Sequence, residues 1–207
     1  MNDDPNPQEI PWPQAGDTMF RSDGDWRMNA CLNLHRADWY VYATGYKNAA
    51  DVLVEHVANT RHQLDTLVYP ITFLYRHYIE LRLKELILAS TNLLGTDLPR
   101  NWPKEHRIES LWKHSQQDLR KIWPEGSQSD LDAVTDCINQ FAAIDPIASS
   151  FRYPVDTGNK PHITGLTHIN IRNLSKVIGR IAGLLDSASS GISEYLDQKR
   201  DMESSST

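Results

Sequence analysis

From Gly45 onward the apolar residues fall at helical spacing. Tyr46, Ala49, Ala50, Leu53, Val54 and Val57 recur every three or four positions and lay one stripe along a first helix. Ile71, Leu74, Tyr78, Leu81 and Leu88 carry the period from about Asp65 to Asn92, which predicts one long second helix, kinked or started near Pro70. Gly95, Pro99 and Pro103 mark a loop. Ile108, Leu111, Trp112, Ser115, Leu119 and Ile122 predict a third helix that stops before Pro124. A fourth uses Leu131, Val134, Ile138, Phe141 and Ile144, with Ser129 as its N-cap and Asp145-Pro146 as its end. Ile171, Leu174, Ile178, Ile181, Leu185 and Ile192 predict a fifth, from about Thr167 into the 190s, bent or ended at Gly191. No strand alternation or internal repeat interrupts this series. The expected fold is all-α, a helical bundle of about five main helices preceded by an irregular N-terminal arm.

The stretches between these elements divide the chain further. Residues 1–16 hold Pro5, Pro7, Pro11 and Pro13 among polar residues, which reads as a disordered or docking arm, ordered only if Ile10 or Trp12 finds a surface. Residues 17–200 read as a single helical domain and 201–207 as a disordered tail. Within 17–44, Trp26, Met28, Leu32, Leu34, Trp39, Tyr40 and Tyr42 are too many large apolar groups for a bare loop. That segment should pack on something, as one or two short helices. Residues 145–166 form the longest irregular stretch inside the domain, and loops of this length are functional or disordered. Phe151 and Tyr153 argue for order.

Composition narrows the class. Of 207 residues, 40% are hydrophobic and 23% charged, an ordinary globular balance. No apolar run reaches membrane-spanning length, and Met1-Asn2-Asp3-Asp4-Pro5 has neither the basic region nor the apolar core of a signal peptide, so a cytoplasmic protein is expected. Cys31 and Cys137, far apart, suit two small buried hydrophobes in a reducing compartment. The net charge of −6 does not suit a dedicated nucleic-acid coat, although it permits a local basic groove.

Three groups of residues could carry chemistry. On the second helix Glu80 lies one turn after Arg76 and His77 and one turn before Lys84, among Phe73, Tyr75 and Tyr78. Such a carboxylate would be held ionised and could orient His77; a solvated ladder of ion pairs has the same spacing. The third helix is expected to carry His106, Arg107, His114 and Asp118. Arg107 and His114 share a face with about 10.5 Å of axial rise between them, and Asp118 could fix the tautomer of His114. In the loop, Arg152 sits between Phe151 and Tyr153, where stacking and a carboxylate, with Glu80 as candidate, would pin it. Asp156, Lys160 and His162 accompany it. Phosphate loops, His-Glu-x-x-His, Cys-x-x-Cys and Gly-x-Ser-x-Gly are absent, so no metal and no cofactor is expected.

Gly45-Tyr46-Lys47 with Ala49-Ala50-Asp51, Tyr69-Pro70, Tyr75-Arg76-His77-Tyr78-Ile79-Glu80-Leu81 with Lys84, His106 ahead of Leu111-Trp112, and Phe151-Arg152-Tyr153-Pro154 resemble, in that order, a group of bacterial helical proteins that look like relatives of the HEPN superfamily. The resemblance spans about residues 26–185. It implies a four- to five-helix bundle that often dimerises. Many members are metal-independent ribonucleases of toxin–antitoxin, CRISPR and anti-phage systems; others lack activity and serve as partners. The active motif is an arginine, four to six residues, then a histidine. Arg107 and His114 fit that spacing, with Ile108 where a polar residue is usual.

Two functions follow as expectations. One is a HEPN-like ribonuclease or RNA-directed toxin of bacterial defence, with Arg107 and His114 catalytic and Arg76, His77, Glu80, Lys84, His106, Asp118, Arg152 and Tyr153 supporting or contacting RNA. The other is a non-catalytic helical module for dimerisation or for a partner protein in a defence or toxin–antitoxin system. A homodimer without a membrane segment is expected in both.

Overall fold

The structure, a computed structural model, describes residues 12–22, 24–32 and 38–205. The chain falls into two units, Met1–Arg36 and Ala37–Thr207, so the helical unit begins later than residue 17. In the first unit a single 3₁₀ turn covers Trp26–Met28. Trp12, Trp26, Met28, Leu32 and Cys31 are exposed there, against the expectation that the apolar groups pack and the cysteine is buried. Leu34 and residues 1–11 of the arm lie outside the described residues.

The second unit is all-α. Its helices are α1 (Trp39–Thr60), α2 (Leu64–Leu94), α3 (Ile108–Ile122), α4 (Gln128–Ile144) and α5 (Ile171–Ser205). No strand occurs among the described residues, only an isolated bridge between Val155 and Pro161. Among the described residues no helix is long and apolar enough to cross a membrane.

Capping oxygens explain where the observed ends differ from the apolar pattern. The Asp38 side chain accepts a hydrogen bond from the Tyr40 amide at 2.9 Å and starts α1 before Gly45. Ser127, not Ser129, caps α4, because its hydroxyl reaches the Asp130 amide three residues on. Asn170 accepts from the Asn173 amide at 2.9 Å and delays α5 to Ile171. At its other end α5 continues through residues 201–205, which are helix rather than a disordered tail.

Gly191 does not end α5, which runs on to Ser205. A Cβ on Gly191 would meet Cζ2 of Trp123 at 2.8 Å, so the glycine serves the close approach of the indole, whose Nε1 donates to the Tyr195 hydroxyl at 3.2 Å. Gly191→Ala should therefore lower Tm despite the better helix propensity of alanine, because overpacking costs about 1–3 kcal/mol and the propensity gain is about 1 kcal/mol. Thermal melts of the two proteins check this.

Helix α2 is the centre of the bundle. It packs against α1, α3 and α5, while α4 lies against α3. From Ile71 to Thr91 nearly every α2 side chain is buried or half-buried, so polar residues on it are forced into the interior and must find partners. The Tyr75 hydroxyl donates to Asp51 on α1 at 2.6 Å. Arg82 reaches Glu85 at 2.9 Å and Asp186 on α5 at 2.7 Å, and Ser189 donates to Glu85. The Tyr75–Asp51 bond ties α1 to α2, and Arg82–Asp186 and Ser189–Glu85 tie α5 to it, while Arg82–Glu85 lies within α2.

Candidate functional site

Phe73, Arg76, His77, Glu80 and Lys84 follow one another at helical spacing along one face of α2. Arg76 is 0% exposed and Glu80 2%. All three guanidinium nitrogens are engaged: Nη1 donates to Glu80 Oε2 at 3.0 Å, Nη2 to the His106 carbonyl at 2.6 Å, and Nε to the Asp145 carbonyl at 3.3 Å. It thereby ties α2 to the segment before α3 and to the turn after α4. Asp145 turns that corner, its Oδ1 accepting from the amides of Ser149 and Ser150. The acceptors for Arg76 other than Glu80 are backbone carbonyls, which carry no residue signature in a sequence.

Glu80 is the hub. Besides Arg76, its carboxylate accepts from Lys84 Nζ at 2.9 Å and from His106 Nδ1 at 2.9 Å. Burial alone would push its pKa up, but the hydrogen bonds from Lys84 and His106 and the charges of Lys84 and Arg76 outweigh burial and hold it below the usual carboxylate range. An ionised carboxylate only accepts, so the His106 Nδ1 carries a proton and donates it to Glu80. The His106 side chain is 62% exposed. The result is an imidazole on the surface, held from behind by a buried carboxylate.

One turn toward the start of α2 the same face bears a stack. The His77 ring meets Tyr46 edge-on at 4.4 Å and lies parallel to Phe73 at 5.8 Å. The Arg152 guanidinium covers Phe73 at 5.5 Å and Tyr153 at 5.4 Å. Burial pushes the His77 pKa down, with Arg76, Lys84 and Arg152 acting the same way and Glu80 against them. His77 is therefore neutral and packed, and the imidazole that Glu80 orients is His106.

The positions of the sequence candidates divide cleanly. Arg76, His77, Glu80, Lys84, His106, Arg152 and Tyr153 gather on this side of α2. The expected Glu80–Arg152 ion pair does not form: the Arg152 Nε donates to the Ala148 carbonyl, and stacking holds the rest of the side chain. Arg107 is not inside α3 but is its N-cap, 61% exposed and paired with Glu109 at 2.9 Å; His106 precedes it. His114 is exposed on α3, and its ring has no hydrogen-bond partner among the described residues. Asp118 does not orient it, because it is taken up by Ser90 and Lys121, both at 3.0 Å. In the loop Asp156 folds a turn by accepting from the amides of Gly158 and Lys160. Tyr46 and Asp145 were not among the expected site residues. Among the described residues, no three His, Cys, Asp or Glu side chains come together in a way that could hold a metal.

Acid should weaken this side of the bundle in two stages. His77 has a depressed folded pKa, so its contribution is complete above its unfolded value near pH 6.5 and falls as pH drops through the folded value. Glu80 behaves likewise below its unfolded value near pH 4.3. Tm measured between about pH 7 and pH 3 should fall in both windows. Glu80→Gln should flatten the lower window and His77→Phe the upper one; a Tm independent of pH would contradict the assignment.

No protein-family model, no curated protein and no solved structure matches this chain.

Proposed function

We propose that this chain is a HEPN-like protein that cleaves RNA without a metal, with His106 in the role that motif spacing gives to His114. The observation that carries this reading is the exposed His106 ring whose Nδ1 lies 2.9 Å from the buried, ionised Glu80. A carboxylate behind an imidazole fixes its tautomer and strengthens it as a base. In the reaction, His106 Nε2 takes the proton of a ribose 2′-hydroxyl and the 2′-oxygen attacks the adjacent phosphorus. The bond from phosphorus to the 5′-oxygen breaks, and that oxygen takes a proton from water. The products are a 2′,3′-cyclic phosphate and a 5′-hydroxyl. Arg152, fixed by two rings and with no hydrogen bond on its outer nitrogens among the described residues, and the exposed Arg107 suit the phosphate charge. Tyr153 adds a ring on which an unpaired base can stack. A cytoplasmic location accords with an RNA substrate, and a toxin or anti-phage role in bacteria accords with the resemblance.

The test is incubation of the purified chain with single-stranded RNA and tRNA in EDTA, followed by analysis of the product ends. Cyclic phosphate ends are expected; intact RNA would overturn the reading. A second reading, a non-catalytic interaction module, is favoured by one separate observation, an open apolar groove between α4 and α5.

A further inference from the structure

The end of α1 and the start of α5 border a cavity of about 540 Å³, a size that suits a small organic ligand. Val54 and Val57 of α1 and Ile169, just before α5, give it apolar walls. Arg61, His168 and Arg172 line it as well, and no acidic residue does. In a chain with 27 acidic and 21 basic residues, that selection runs against composition.

The two arginines stand where local structure disfavours them. Arg61 is the C-cap of α1, with φ 57° and ψ 14°. That left-handed conformation suits glycine and strains a residue with a Cβ. Arg172 is the second residue of α5, where a cation opposes the helix dipole and an acid is the favourable choice. Both are exposed, and neither side chain has an ion pair or hydrogen bond among the described residues. His168 is exposed too, with Nδ1 3.0 Å from the Thr167 hydroxyl, which leaves Nε2 available. Two cations that cost the fold something thus share one cavity with no opposite charge, and an anion from outside would offset both.

We infer that this cavity binds a small phosphomonoester, its dianion held by Arg61 and Arg172 and its apolar body against Val54 and Val57. A carboxylate presents two oxygens in one plane, whereas a phosphate presents three in tetrahedral directions. Donors that come from the end of α1, from the segment before α5 and from α5 itself suit the phosphate. A phosphomonoester near neutral pH also carries the charge to match two guanidinium groups. This site does not rest on the RNA reading: it shares no residue with the His106–Glu80 face and has its own readout.

The test is calorimetric titration of the full chain, near neutral pH and without phosphate buffer, with phenyl phosphate, inorganic phosphate, benzoate and phenol. Phenyl phosphate should bind once per chain. It should bind more tightly than inorganic phosphate, which lacks the apolar body, and than benzoate, which lacks the dianion; phenol should not bind. Arg61→Gly and Arg172→Glu should each weaken phenyl phosphate by about tenfold or more, as loss of a charged hydrogen bond does. Without ligand, the Tm of both variants should match or exceed that of wild type, because glycine relieves the left-handed strain and an acid suits the start of α5. Arg152→Ala, at the site proposed for RNA, should bind phenyl phosphate as wild type does. A wild type that does not bind phenyl phosphate, or binds benzoate as tightly, would overturn the inference. So would binding that survives in either arginine variant or is lost in Arg152→Ala. A fall in Tm in both arginine variants would make those residues structural and overturn it as well.

Discussion

Glu80→Ala is expected to destabilise the helical unit by about 3–5 kcal/mol, the largest effect of any single substitution at the site. The physical reason is what it leaves behind. Arg76 is 0% and Lys84 4% exposed, and both lose their carboxylate in a region water does not reach. The carbonyls of His106 and Asp145 still accept from Arg76, but they carry no charge to set against it. For a chain of this length that loss corresponds to roughly 6–20 °C in Tm. Glu80→Gln keeps the volume and should still be clearly destabilising, since it removes the charge. Adding Lys84→Met to Glu80→Gln should recover part of the loss by removing one stranded cation. Denaturant unfolding of the three variants measures all of this, and a change under about 1 kcal/mol for Glu80→Ala would contradict the hub role.

His106→Ala is expected to do the opposite: leave the fold nearly intact and remove activity. Its side chain is largely in solvent, and Glu80 keeps Arg76 and Lys84 as partners when the ring is gone. The stability change should stay within about 1 kcal/mol. Loss of a general base costs about 10²–10⁴-fold in rate, so cleavage by His106→Ala should fall by that factor under single-turnover conditions. Arg152→Lys should also slow cleavage, because an ammonium cannot lie flat between Phe73 and Tyr153 while presenting a planar fork. A His106→Ala protein as active as wild type would remove the dyad from the mechanism.

The sequence pattern reads the bundle well where apolar period and punctuation agree. The apolar stripe from Ile108 to Ile122 marks α3 and Pro124 marks its end, but the reading carries His106 and Arg107 into the helix, where they precede it. The first turns of α1 are not, since Trp39 to Thr44 show no clear stripe and only the Asp38 cap marks the start. Gly191 looks like a helix end because spacing cannot show that the indole of Trp123, just past α3, needs the room. At the site, the spacing of Arg76, Glu80 and Lys84 correctly implies mutual pairing, because those contacts are local on one helix. The imidazole on Glu80 comes from 26 residues away, and helical spacing points instead to His77, which packs on rings. Arg152 is pinned by stacking as its aromatic neighbours imply, but the carbonyl of Ala148 holds its Nε, where sequence reasoning supplies a carboxylate. Motif spacing likewise joins Arg107 to His114, two groups that the fold leaves without a common partner.

The most direct measurement of the central claim is therefore a comparison of two histidines. Wild type, His106→Ala and His114→Ala are incubated with the same RNA in EDTA and the 2′,3′-cyclic phosphate ends are counted. Cleavage by wild type and His114→Ala with none by His106→Ala is the predicted result; cleavage that survives in His106→Ala and disappears in His114→Ala would contradict it.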